Sequence, residues 1–178
     1  GNKIDNKTPR LFANCINGGA HADSGLELQE YVVVPKFNTI RESIDFVVEF
    51  YKKLGEILAK AFGPMATEVG DEGGFAPHMT DSIAPLRYMK QALSELAAEN
   101  KAELGIDAAA SEFYDKETNQ YTLDGQIISA VDLAWQYKTW RERYPIISIE
   151  DPFAEDGWED WKLFTAKNGA YLQVVGDD

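Results

Sequence analysis

The chain has 178 residues, 44% hydrophobic, 26% charged and 12% aromatic: enough apolar side chain to bury a core, and too much for a disordered polymer. Its 17 basic against 30 acidic residues give a formal net charge of -13, which repels nucleic acid and anionic membrane and leaves no basic footprint for either. A cation suits such a surface better, although most of the carboxylates serve only to solvate it.

The polar lead-in "GNKIDNKTPR" has no apolar signal region, and no run of about 18 apolar residues occurs anywhere. Asn6-Lys7-Thr8 is formally a glycosylation acceptor, accidental without a secretion signal. The single cysteine, Cys15, cannot close an internal disulfide and reads as a small buried hydrophobe. A soluble, cytoplasmic protein in a reducing compartment is expected.

"LFANCI" reads as a strand, "NGGAHADSG" as a loop and "LELQEYVVVP" as a second strand closed by Pro35. Strands this close leave no room for a crossover helix and should be antiparallel neighbours. Thr39 and Glu42 form a capping box opening a helix over Ile40–Phe62, with Ile44, Val47, Val48, Tyr51, Leu54 and Leu58 on its apolar face. "MATEVGDEGGFAP" reads as a short strand entering a glycine-rich turn, and residues 83–100 as an amphipathic helix with Pro85 in its first turn. "ELGIDAAA" is a strand ending in Asp107, and "YDKETNQYTLDG" a polar hairpin. Ser129 and Asp132 cap a helix to about Arg143, "YPIISIEDP" is a strand ending in Glu150, "WEDWKLFTAKNG" is a helix stopped by Asn168-Gly169, and "YLQVVGDD" is a final strand. From Leu104 onward the alternation of strand and helix predicts parallel βα units, in a barrel or a doubly wound sheet, within one domain spanning residues 1–178.

Three of these strands end in a carboxylate: Asp107 after "LGI", Glu150 after "IISI" and Asp177 after "VVG". Sites in parallel α/β folds are built at the C-terminal strand edge, and neighbouring strands lie about 4.8 Å apart, so three such groups can converge. Convergent carboxylates repel unless a hard cation neutralises them, and Mg²⁺ fits, keeping waters and leaving positions for substrate. Any one of them alone reads equally well as a solvated strand end or helix cap. Asp178 points the other way by strand alternation and is a neighbour rather than a ligand. Upstream, "VGDEGG" sets Glu72 on a turn whose glycines admit close approach of a ligand, Glu30 ends "LELQE", and His21 sits in a loop able to open and close. If Glu30 and Glu72 share one mouth, each raises the other's pKa, and one can hold a proton near neutrality.

These stretches, "NGGAHADSGLELQE", "VGDEGGFAP", "IDAAASEFYD", "YPIISIEDPFAEDGWEDW" and "VVGDD", occur in the order and spacing of the enolase family, which the chain resembles from Phe12 to Asp178. The resemblance implies a modified TIM barrel beginning with two antiparallel strands and two helices before its βα units. It implies the Mg²⁺-dependent, reversible dehydration of 2-phosphoglycerate to phosphoenolpyruvate, the glycolytic phosphopyruvate hydratase reaction. Asp107, Glu150 and Asp177 then match the ligands of the tighter Mg²⁺, and Glu72, with Glu30 beside it, the group assisting departure of the hydroxyl. Gln29 matches a substrate neighbour, and His21 a loop histidine that closes over substrate. Such enzymes are commonly homodimers or larger homo-oligomers.

The family's lysine base, a second lysine, an arginine and a histidine come from strands after the third metal aspartate, and an N-terminal domain supplies a serine to the second Mg²⁺; none matches a position here. A complete (β/α)₈ barrel takes about 250 residues. The chain is therefore expected to be an incomplete barrel domain, part of a longer polypeptide and inactive alone. The alternatives are another Mg²⁺-dependent acid-sugar dehydratase or racemase of the wider superfamily, and a non-catalytic scaffold keeping the acidic cluster for structure.

Overall fold

A computed structural model describes residues 9–177 apart from Asp23, with His21 described by its backbone alone. The triplet Asn6-Lys7-Thr8 and the terminal Asp178 lie outside the described residues. In chain order the elements are β1 (Ala13–Asn17), β2 (Glu30–Pro35), α1 (Ile40–Phe62), α2 (Ala84–Glu95) and β3 (Ala102–Asp107), followed by the short strands β4 (Tyr114–Asp115), β5 (Gln120–Leu123) and β6 (Gln126–Ile128). Then come α3 (Ala130–Arg143), β7 (Ile146–Glu150), α4 (Trp158–Asn168) and β8 (Gln173–Val175).

The main sheet has the order β1-β2-β3-β7-β8. Its first three strands are antiparallel, and β3, β7 and β8 are parallel. Two antiparallel strands and two helices thus precede the βα units, as the sequence predicts, and the described strands form an open sheet rather than a closed barrel. Tyr31 and Val33 of β2, Leu104 and Ile106 of β3 and Ile149 of β7 are all buried in the core. They alternate along each strand with residues of the opposite face. Strands β4, β5 and β6 form a separate antiparallel sheet. The expected hairpin is its first part; "QII" is too short to show an alternation, so β6 carries no sequence signal.

The capping box of α1 is present: Thr39 Oγ1 accepts from the Glu42 amide at 3.2 Å, and Glu42 Oε2 accepts from the Thr39 amide at 3.2 Å. Its buried face is only partly the expected one: Leu54 and Leu58 are buried and Val47 and Tyr51 pack against the core. Phe46, Phe50, Leu54, Ile57 and Leu58 are buried, whereas Ile44 and Val48 are 49% and 47% exposed. The helix is apolar over more than half its circumference, and packing against α2, β2 and the turn at Pro64–Thr67 selects a stripe about a quarter turn from the expected one, at 100° per residue. Leu54 and Leu58 are shared by both stripes.

Two further expectations are corrected. Helix α2 stops at Glu95 rather than near Asn100, because Ala97 takes a left-handed φ of +49° and closes a Schellman motif, with Ala98 N donating to Leu93 O at 2.8 Å and Ala97 N to Ser94 O at 3.0 Å. Glycine usually marks that turn, and here alanine hides it. The strand expected before the glycine-rich turn is instead a 3₁₀ turn, Pro64–Thr67, followed by bridges of Phe75 to Ile16 and to Val69. Among the described residues no helix is long and apolar enough to cross a membrane.

The rotated face of α1 has a direct energetic test. Phe50→Ala should cost about 3–5 kcal/mol in urea unfolding and Ile44→Ala less than about 1 kcal/mol. Equal losses would restore the face expected from periodicity.

Candidate active site

Register, rather than loop geometry, assembles the acidic group. Glu30 pairs with Asp107 across β2 and β3, Asp107 with Glu150 across β3 and β7, and Glu150 with Val175 across β7 and β8. One row at one edge of the sheet thus carries three carboxylates on adjacent strands. Because side chains alternate, Asn14, Val32, Gly105 and Ser148 share that face, one step back from the edge. Gly105 keeps the face open, since a Cβ there would lie 2.7 Å from Val32 Cγ2.

Glu72 reaches the same place from another direction. The turn carrying it is closed by Gly73 N donating to Gly70 O at 3.0 Å and Gly70 N to Gly74 O at 2.8 Å, with Gly73 at φ +79°. Phe75 ties the turn to β1: its amide donates to Cys15 O, its carbonyl accepts from Asn17 N, both at 2.9 Å, and its ring stacks on Tyr51 at 4.1 Å. The amides of Asn14 and Asn17 are buried against Gly74 with no hydrogen-bond partner among the described residues, and a Cβ at position 74 would collide with Asn17 Oδ1. A side chain at position 74 would displace the turn.

The resulting pocket, about 200 Å³, is lined by Phe12, Asn14, Glu30, Val32, Glu72, Ile106, Asp107, Ser148 and Glu150. No basic side chain is among these lining residues. Burial and then its neighbours, through a hydrogen bond with Glu72 and the charges of Glu72, Asp107 and Glu150, push the Glu30 carboxyl up to about 8. Glu30 and Glu72 share this mouth, and Glu72 raises the Glu30 pKa as expected. Asp107 is held in place by its own neighbours: Oδ1 accepts from Ala109 N at 3.0 Å and Oδ2 from Gln29 Nε2 at 3.4 Å, while its carbonyl accepts from Gln29 N at 3.1 Å.

Four expected site residues, Glu30, Glu72, Asp107 and Glu150, therefore line one pocket, and Gln29 borders it. Asp177 lies past the end of β8 and is not among the lining residues. The side chain of His21 is outside the described residues; its backbone ends the 3₁₀ turn Gly19–His21. The donor set, all hard oxygen with surplus negative charge, suits Mg²⁺. Among the described residues no three His, Cys, Asp or Glu side chains are grouped as a metal site. A larger cavity of about 410 Å³ lies between α3 and α4, lined by Trp135, Phe153, Phe164 and Tyr171, with Asp160 as its single carboxylate. It has none of this chemistry. Cys15, buried in β1 with its thiol pushed up to about 12 by burial, is an inert core residue.

The profile of the enolase C-terminal TIM barrel domain matches residues 6–178, nearly the whole chain. The chain belongs to the enolase family. Curated relatives include the enolase of Methanopyrus kandleri, 42% identical over 175 residues, which are 97% of this chain and 41% of the relative. The enolase of Bifidobacterium longum is 45% identical over 168 residues, 93% of this chain and 38% of the relative. That of Nitratiruptor sp. is 41% identical over 173 residues, 96% of this chain and 41% of the relative. The chain thus spans about two-fifths of the length of the enolases it matches. Asp151 is the neighbouring residue that the sequence reading passed over; its only signal there is its place between Glu150 and Pro152.

A carboxyl held protonated in the folded state makes stability fall as pH rises. Glu30 binds its proton up to about 8 when folded, against 4.5 ordinarily. Its contribution is fully present below about 4.5 and lost as pH climbs through 8. In metal-free buffer, Glu30→Gln should flatten the decline in unfolding free energy between pH 5 and 8. An unchanged slope in urea titrations would show that Glu30 is ionised throughout.

Proposed function

We propose that the polypeptide carrying this chain is a cytoplasmic phosphopyruvate hydratase, a Mg²⁺-dependent lyase of glycolysis that interconverts 2-phosphoglycerate and phosphoenolpyruvate and works as a homodimer or larger homo-oligomer. The observation that carries this reading is the in-register row Glu30, Asp107, Glu150 facing Glu72 in one pocket, within a chain of the enolase family. In it, Asp107, Glu150 and Asp177 would hold Mg²⁺, a cation that suits their hard oxygen donors. When bound, the cation neutralises the negative charge that builds on a substrate carboxylate as the adjacent proton leaves.

This chain's own residues do the rest. Glu72 delivers a proton to the departing hydroxyl, and Glu30 at its side tunes its acidity and shares that proton. Gln29, its amide turned to Asp107, and His21, on the glycine-flanked loop, contact substrate. No lysine of these 178 residues matches the family's base, so by themselves they do not turn over substrate. One competing reading is a non-catalytic scaffold that keeps the acids for structure.

Activity is read from the absorbance of the enolic product. The full-length protein should lose turnover on chelation and regain it with Mg²⁺; Glu72→Gln should lower kcat about 10²–10⁴-fold with KM little changed. Absence of product would favour the scaffold, and activity indifferent to chelation would overturn the Mg²⁺ requirement. The isolated chain should give no product under the same conditions, and turnover by it would remove the need for an external base.

A further inference from the structure

Asp151 immediately follows β7 and has an unusual place. Its φ of +41° lies in the left-handed region that L residues other than Asn and Asp rarely enter, and it is only 4% exposed. Backbone strain and a buried carboxylate are both unfavourable, so a neighbouring interaction must hold the residue in this state. Its bonds run to two other strand ends. The Asp151 amide donates to Val175 O at 3.1 Å, and its carbonyl accepts from Ala110 N at 3.1 Å, just past β3. Its Oδ1 accepts from the backbone amide of Asp177 at 3.0 Å.

The backbone bonds alone would extend the pairing of β7 with β8 by one step. They give no reason for a buried carboxylate aimed two residues beyond β8. From this geometry we infer that Asp151 is a positioning residue, whose carboxylate fixes the peptide of Asp177 and so presents the Asp177 side chain at the strand edge that carries Asp107 and Glu150. The inference rests on the reading of Asp177 as a metal ligand. It explains how a residue beyond a three-residue strand acquires a defined position: β8 is too short to hold Asp177 by ladder bonds, and the bond from Asp151 supplies the constraint.

The test is Mg²⁺ affinity of the full-length protein by isothermal titration calorimetry, with no substrate present. Asp151→Gly removes the acceptor while easing the left-handed backbone, and should weaken Mg²⁺ binding by about 10–100-fold; Asp151→Asn keeps an oxygen acceptor and should stay within about threefold of wild type. A purely structural role would lower the melting temperature but leave the affinity of the folded protein unchanged, and that result for Asp151→Gly overturns the inference. Equal losses in both variants overturn it too, because charge rather than the hydrogen bond would then matter. Asp177→Ala separates the two levels: if it leaves Mg²⁺ affinity intact, the metal reading falls and the positioning role with it. Should Asp151→Gly not fold, hydrogen exchange of the wild-type Asp177 amide with and without Mg²⁺ decides: slowed by at least about tenfold on Mg²⁺ binding if the bond serves the metal site, and unchanged if the inference is wrong.

Discussion

Glu30, Asp107 and Glu150 are register partners on three adjacent strands, so backbone hydrogen bonding forces three carboxylates into one row. Strands are about 4.8 Å apart, and like charges at that spacing repel strongly where burial removes water. Among the described residues, those that line the pocket include no basic side chain. Burial and the neighbouring carboxylates push the Glu30 carboxyl up to about 8, which favours its protonated form near neutrality. The rest of the structure either creates this row or keeps it from flying apart.

The surrounding elements can be read in that light. The apolar face of the sheet, with Tyr31, Val33, Leu104, Ile106 and Ile149, packs into a core with Phe50 and Leu54 of α1 and Leu86 and Met89 of α2. That burial makes the strands rigid and their register definite, since a slip of one residue would drive the carboxylates into the core. Around Phe153, the rings of Tyr121, Tyr137 and Phe164 meet edge-on and hold the segment after β7. Phe75 and Tyr51 do the same for the turn bearing Glu72. Rigid apolar packing on one side thus allows an electrostatically unfavourable arrangement on the other, the usual division between scaffold and site.

Much of this was legible in the sequence, for identifiable reasons. Capping boxes at Thr39 and Ser129 mark the starts of α1 and α3 because a side chain three residues from its partner closes each helix end locally. Asp107 and Glu150 stand out because each closes a short run of strand formers, and the family motifs fix their neighbours. Tertiary context decided the remainder. Which stripe of α1 is buried depends on the elements packed against it, α2, β2 and the turn at Pro64–Thr67, and not on α1's own pattern alone. The ends of α2 and β7 turn on Ala97 and Asp151, left-handed residues that are not glycine. The buried amides of Asn14 and Asn17 beside Gly74 involve residues more than fifty positions apart.

The central claim is that the row at the strand edge, extended by Asp177, is a cation site. It is tested most directly by crystallising the full-length protein with Mn²⁺ in place of Mg²⁺ and locating the ion by its anomalous scattering. A single strong peak bound by the carboxylates of Asp107, Glu150 and Asp177 is the expected result. A peak elsewhere, or none at this edge with the ion at saturating concentration, would contradict the account.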